Sequence, residues 1–474
     1  MTGTTERAAF LRPGPSGVRA AVVLLACMVL SVSMRLSGAP PVMADSMALV
    51  LLAIGFWALA ILPEPLTGLI FLLGAVTLTG LGPTVVFSGF TSSAFWLIFA
   101  GTVLSASATH TGLSHWLAAR FVTQRFVAVG YGARVGLVVA FSAGLALILP
   151  STLARVAILL PLVLALCDRV GHAAGGRGRV GMVLAAAIGT YIVPITFLPA
   201  NLPNVVLAGS LESVYGVTPT FGSYLLLHFP VIGLVKGVAL VLILTAMFAE
   251  PARPGAGPAE AEAAAGRLSQ PGRRLMLVLA VTLVLWTADS LHGVSPAWIG
   301  LGAAVLCLMP FMGILAVKQM PCETAFPMLL YLGAVLGIGG VMTQSGAGAA
   351  LSGLLVGSLP LAETGNAMRL VLMTFAAAAT ALVTTMPVAP AMTAPFFGDI
   401  AAETGWSVEA VGMAQVLGYA TPLLPYQLPP LMLAVAMTGI AMRDATRVLL
   451  VLALVTTPVT LGLAHLWWQA LGWY

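Results

Sequence analysis

Charge is what this sequence has least of: Asp, Glu, Lys and Arg make up 7% of its 474 residues. A soluble domain carries roughly 25% charged residues, because its surface must face water. That scarcity excludes an ordinary water-soluble globule and leaves lipid as the medium for most of the outer surface. Cysteine is scarce too. Cys27, Cys167, Cys307 and Cys322 show neither CxxC nor metal-ligand spacing, so they read as small apolar fillers rather than disulfides or a metal cluster. The chain has 15 acidic residues and 6 histidines, and none has the spacing of a convergent acid/base or metal centre. An intramembrane enzyme therefore ranks last among the function classes. The net charge of +5 is small and scattered, which argues against a nucleic-acid partner and fits basic loops on the cytoplasmic side of a membrane.

Apolar sequence is what remains. Hydrophobic residues are 60% of the chain, and the mean hydropathy is +1.05. Several runs reach the ~20 residues a helix needs to cross a bilayer. They are continuous rather than alternating, which favours helices over a membrane barrel. Arg7, Arg12 and Arg19 precede the first run with no small-residue cleavage site after it, so a retained first helix with a cytoplasmic N-terminus is expected.

Two apolar segments are unusual. Residues 135–166 are interrupted at Leu149-Pro150-Ser151-Thr152, and bases flank them on both sides, with Arg120, Arg125 and Arg134 before and Arg169 to Arg179 after. A simple crossing does not keep both ends on the positive side, so a re-entrant hairpin turning at Pro150–Thr152 is expected. Residues 368–397 are interrupted at Thr384-Thr385-Met386-Pro387 and flanked by Glu363, Asp399, Glu403 and Glu409, with Arg369 the only nearby base. Each segment precedes a proline-broken helix, the first through Pro194, Pro199 and Pro203, the second through Pro422, Pro425, Pro429 and Pro430.

These features recur in order. Gly112, Ser151 and Pro161 have counterparts 234 residues later at Gly346, Thr385 and Pro395, and Pro199-Ala-Asn201-Leu-Pro203 is echoed by Pro425-Tyr-Gln427-Leu-Pro429. An odd number of crossings separates the copies, so the second is inverted, as in many secondary transporters. The expected fold is an all-α polytopic membrane protein of about eleven transmembrane helices plus two re-entrant hairpins. Residues 1–42 form the N-terminal tail and first helix, 43–249 the first repeat, 250–273 a polar cytoplasmic linker and 274–474 the second repeat. The expected location is the inner (plasma) membrane, multi-pass.

Non-helical backbone at membrane depth must line water, ligand or protein. Free carbonyls at the tips and breaks favour a cation, and free amides favour an anion. Ser151, Thr152, Thr384 and Thr385 add hydroxyls there, while Asn201, Asn204 and Gln427 add amides, a set suited to sodium and to carboxylate or sulfate oxygens. The same hydroxyls can simply cap half-helices. Arg155 sits one turn past the first tip, inside an apolar run. It is expected to meet an anionic substrate with its bidentate fork, in preference to the alternative of pairing internally with carbonyls at a break. Lys236 reads as a structural residue, and Asp45 and Asp289 as solvated charges near span ends.

In Gly89-Phe-Thr-Ser-Ser-Ala-Phe-Trp-Leu, Ser151-Thr-Leu-Ala-Arg-Val-Ala-Ile-Leu-Leu-Pro161 and Asn201-Leu-Pro-Asn204, and in segment order along nearly the whole chain, the sequence resembles the divalent anion/sodium symporter family. The resemblance implies a homodimer whose transport domains move like elevators, carrying dicarboxylate, citrate or sulfate with sodium. Taken with the residues' own chemistry, it puts substrate at Ser151, Thr152, Thr384 and Thr385, with Arg155 standing in for lost substrate contacts, and sodium at Ser151, Thr152, Asn201, Asn204, Thr385 and Gln427. The family's Ser-Asn-Thr tips are altered here to Ser151-Thr152-Leu153 and Thr385-Met386-Pro387, so both tip asparagines are missing. Proton-coupled or exchange transport of anions is the alternative to sodium symport, and an anion channel is a further one.

Overall fold

The computed structural model of the chain describes residues 15–121, 129–252, 267–355 and 360–474, and among these it contains helices and connecting turns but no strand. Arg7, Arg12, Arg125 and most of the expected linker lie outside the described residues. Seven helices are long and apolar enough to cross a membrane: Ser16–Leu36, Pro41–Ala58, Arg177–Thr196, Phe221–Phe248, Ala325–Gln344, Asn366–Val383 and Met442–Ala470. Ser93–His110 and Gln270–Thr287 match them in length, at 18 residues each. Leu73, Leu78, Leu277, Val284 and Leu454 are among the large apolar side chains left facing outward. An outward apolar surface of this kind is stable only in lipid.

The element order occurs twice. In the first half, Pro41–Ala58, Glu64–Leu78 and Ser93–His110 precede a short helix, Leu113–Phe121. A hairpin, a broken helix and the long Phe221–Phe248 follow. In the second half, Gln270–Thr287, Pro296–Leu308 and Cys322–Gln344 precede the short Ala347–Leu355, and the same three features follow, ending in Met442–Ala470. Gly112 and Gly346 occupy one role in the two copies. Each sits between the third long helix and the short one at positive φ, +73° and +75°. A residue with a Cβ would be strained there, which explains why this pair survives in both copies.

The hairpin arms are Tyr131–Ala146 and Thr152–Val170 in the first copy, and Asn366–Val383 followed by Val388–Thr393, Ala394–Phe396 and Phe397–Thr404 in the second. The first return arm tolerates Pro161 and runs as one helix. Pro395 divides the second, because it removes a backbone donor and crowds the preceding turn, whereas Pro390 sits in the first turn of Val388–Thr393. The first broken helix comprises Arg177–Ile192 and Leu202–Tyr215, the second Val408–Tyr419 and Pro429–Thr438. A glycine seats each one on the leading arm of its own hairpin. A Cβ on Gly189 would come within 3.4 Å of the Val139 backbone, and one on Gly418 within 2.6 Å of the Thr374 carbonyl. Only a glycine permits the second of these approaches.

Two groups of helices result. Hairpins, broken helices and the long helices Phe221–Phe248 and Met442–Ala470 pack on one another. Ser93–His110 packs on Pro296–Leu308, and Glu64–Leu78 on Cys322–Gln344, pairing the repeats in a second group. Asp289 corrects an expectation. It is buried rather than solvated, and its carboxylate accepts from the backbone N–H groups of Phe221 and Gly222. The amides that open a helix have no intrahelical acceptor, and a carboxylate also suits the positive end of the dipole.

Candidate functional site

Both hairpin tips and both helix breaks meet at one cavity of about 570 Å³. Its wall includes Pro150, Ser151 and Thr152 from the first tip, and Thr385, Met386 and Pro387 from the second. Asn201 and Pro203 come from the first break, Gln427 and Pro429 from the second. The wall toward the other helix group contains Gly101, Thr102, Met328 and Tyr331. Gly101 lets Pro150 approach, since a Cβ there would lie 3.1 Å from the proline ring.

What faces the cavity is decided by which helix ends reach it. The lining segments 150–153, 201–203, 385–387 and 427–430 are the opening turns of Thr152–Val170, Leu202–Tyr215, Val388–Thr393 and Pro429–Thr438. Four half-helices therefore direct their amino-terminal ends inward. Each brings the positive end of a helix dipole, which attracts anions. At the second tip and break few N–H groups are free, because Pro390, Pro429 and Pro430 have none and Val388, Ala389 and Leu431 donate to the Thr385 and Leu428 carbonyls.

The carbonyls at the helix ends are met by the chain's own cations. Arg155 is fully buried and is not among the lining residues. Its Nη1 donates to the carbonyls of Leu149 at 2.6 Å and Pro150 at 2.9 Å. Its Nη2 lies 3.0 Å from the Thr190 carbonyl, 2.9 Å from that of Ala200, 3.3 Å from Thr152 Oγ1 and 3.4 Å from Asn201 Oδ1. Of the two sequence readings, the guanidinium takes the internal one: it ties the first tip to the first break behind the cavity wall. Lys236 does the corresponding job at the second break. Its Nζ donates to the Ala420 carbonyl at 2.8 Å and to Thr421 Oγ1 at 2.6 Å.

The remaining candidates fall into place around these cations. Ser151 caps its helix by accepting from the Ala154 amide at 3.3 Å. Thr152 Oγ1 donates to Asn201 Oδ1 at 2.8 Å, and Asn201 Nδ2 reaches the Tyr191 carbonyl at 3.4 Å. Asn204 lies behind the break, donating to the carbonyls of Ile195 and Phe197 at 2.9 and 3.0 Å, while its buried Oδ1 has no partner. Thr384 Oγ1 turns back to the Thr380 carbonyl at 2.7 Å, and Thr385 Oγ1 meets the Tyr331 hydroxyl at 3.2 Å. Gln427 is consumed by the backbone: Oε1 accepts from Leu423 and Leu424, and Nε2 donates to the Ala381 carbonyl at 3.1 Å. Thr152, Asn201, Thr385 and Gln427 thus share the cavity, whereas Asn204 and Thr384 do not line it.

Sequence reasoning did not single out Glu64, Tyr191, Tyr331 or Tyr426, all of which line the cavity. Glu64 opens helix Glu64–Leu78 and is the one formally charged side chain in the wall among the described residues. It lies within electrostatic reach of Tyr331, on the side of the second tip. Tyr191 spans the repeats, donating to the Tyr419 carbonyl at 3.0 Å. No sequence motif marks these four, since each is an ordinary residue of an apolar helix or helix end.

A family model described as the sodium:sulfate symporter transmembrane region matches residues 18–474. A membrane protein of Cupriavidus necator is 25% identical over 407 residues, covering 81% of this chain and 76% of its own length. Among solved structures, the YdaH transporter of Alcanivorax borkumensis, whose topology is described as unusual, superposes with a TM-score of 0.56. That match runs at 15% identity over 82% of this chain and 88% of the other, a likeness of fold.

Proposed function

The chain belongs to the sodium:sulfate symporter family, and on that premise we propose that it is a secondary active transporter of small di- or tricarboxylates or sulfate. The observation that carries the reading is the cavity faced by four half-helix amino-termini. Four positive dipole ends around one space favour a multiply charged anion over a neutral or cationic solute. Its volume of about 570 Å³ lies in the range of small-molecule sites. Glu64 does not reverse this preference, because it occupies the first turn of its own helix, where the dipole offsets its charge.

Ser151, Thr152, Thr385 and the first-turn amides would contact the anion, with Arg155 adding positive potential from behind Thr152 and Asn201. Alternating access of the elevator type is supported by the packing of each hairpin on the opening half of a broken helix, a group that meets the other along Leu202–Tyr215 against Ser93–His110 and Cys322–Gln344. The working arrangement is a homodimer in the inner membrane with the N-terminus in the cytoplasm, the two repeats being residues 43–249 and 274–474.

Purified protein in proteoliposomes tests the reading with labelled sulfate, succinate and citrate. Saturable uptake of at least one anion is expected, together with a rise in thermal midpoint in the presence of that anion. An ohmic, non-saturating current would point to a channel, and no response to any of the three anions would sink the assignment. A second reading, exchange rather than sodium symport, is favoured by the cations already at the helix breaks.

A further inference from the structure

A helix that ends inside a membrane leaves its last carbonyls without intrahelical donors, and the helix dipole concentrates partial negative charge there. In transporters, half-helix carboxyl ends and unwound carbonyls commonly coordinate a cation taken from solution. Here the chain supplies its own. Six oxygens converge on the two Nη atoms of Arg155. They come from the first tip (Leu149, Pro150, Thr152), from the end of Arg177–Ile192 (Thr190) and from the break (Ala200, Asn201). Two Nη atoms offer four N–H groups, so acceptors outnumber donors, which suits a cage for charge more than a directional pair. Thr152 and Asn201, two of the oxygens expected to hold sodium, belong to this cage.

At the second break, Lys236 reaches across from Phe221–Phe248 to the Ala420 carbonyl and the Thr421 hydroxyl. Both cations are at most 2% exposed. Among the described residues neither has a carboxylate within ion-pair distance. Two elements that differ in sequence and position therefore deliver the same thing, a fixed positive charge at the carboxyl end of a broken helix.

We infer that Arg155 and Lys236 stand in for coupling cations, so that the transporter exchanges small anions across the membrane without sodium. The inference rests on the anion-transport reading and specifies its energetics. A sodium ion could enter the Arg155 cage only by displacing the guanidinium, and at that separation the two charges repel. The tethered charges also decide how the cycle closes. With the cavity empty, both buried cations lack a counter-charge, and moving them through the membrane is strongly unfavourable. A bound divalent anion compensates the Arg155 charge, whose partners Thr152 and Asn201 line the cavity. The loaded form then crosses readily and the empty form does not, which makes return conditional on a second anion.

The test uses the full-length protein in proteoliposomes, preloaded with unlabelled sulfate, succinate or citrate, or left empty. Labelled anion uptake is measured in sodium and in choline media of equal ionic strength. Equal initial rates are expected in the two media, with uptake into empty vesicles lower by about tenfold or more, as for strongly coupled sites. Rates that rise with sodium, or that ignore the internal anion, overturn the inference. Thermal unfolding of the purified protein in sodium, potassium and choline chloride decides the cation question independently of transport. Coincident midpoints are expected, and sodium-specific stabilisation, as from an ion held at Asn204 Oδ1, overturns the assignment. Arg155→Ser empties the cage, and sodium-specific stabilisation is expected to appear in that variant. If the variant does not fold, the wild-type comparisons decide. Failure of the anion-transport reading looks different: no labelled anion enters in either medium, and the salt series alone then rules on Arg155 and Lys236.

Discussion

The tip at 147–151 and the tip at 384–387 face the same cavity, yet they hold their shapes by different means. At the first, Ser151 caps the return helix and a buried guanidinium gathers the carbonyls of tip and break. At the second, Pro387 precedes the return helix with no side-chain cap, and Met386 is packed into the apolar core. The second break is braced by Gln427 against Ala381 and by Tyr426 donating to the Leu382 carbonyl at 2.6 Å, contacts within its own repeat. Its cation comes from the other repeat. Duplication thus preserved the broken backbone, which the fold requires, while the polar groups that satisfy it diverged. Any donor of suitable reach can satisfy a carbonyl, so the means were free to change.

The comparison can be broken most directly at Arg155. Arg155→Met leaves several buried carbonyls unpaired, each worth roughly 1–3 kcal/mol. Anion transport is expected to be lost and stability to fall by about 3 kcal/mol or more, read from chemical denaturation in detergent. Lys236→Met removes a donor from two acceptors instead of six and is expected to lower stability by about 2 kcal/mol. Equal losses in the two variants would show that the breaks are not unequal.

The cavity wall gives a finer contrast. Thr152→Val strips a hydroxyl that bonds Asn201, whereas Thr385→Val strips one that meets the Tyr331 hydroxyl. Anion affinity is expected to drop about fivefold or more in the first variant, from roughly 1 kcal/mol, and about twofold or less in the second. Titration by anion-dependent thermal shift reads both, and the opposite order would place the anion against the second tip. The smallest effect is expected from Glu64→Gln. Removing this partly solvated carboxylate should tighten anion binding by about twofold at low ionic strength, with the gain fading in high salt.

Much of this architecture is legible before any coordinates. Both tips announce themselves as Pro/Thr/Ser interruptions of apolar runs whose two flanks carry charge mainly of one sign, because a half-crossing returns to the side it came from. The breaks are marked by clustered prolines, and Gly112 and Gly346 by their matched positions at left-handed turns. Arg155 is conspicuous as a charge within an apolar stretch. Its partners are not, since four of its six acceptors are backbone carbonyls, which carry no residue signature. Lys236 and Ala420 meet across 184 residues for the same reason without a trace in either local sequence. Asp289 misled because its partners are amides of another helix.

Hydrophobic length, charge bias and the placement of proline and glycine therefore determined that this chain crosses a membrane repeatedly, in two copies, with interrupted backbone at four places. Lipid tolerates only backbone whose polar groups are satisfied internally, and continuous apolar runs meet that condition as helices, so these properties are written in local composition. Which end of each broken helix faces the cavity, and what neutralises the other end, was decided by tertiary structure. Those outcomes depend on carbonyls and amides that every residue possesses, brought together by packing between segments far apart in the chain.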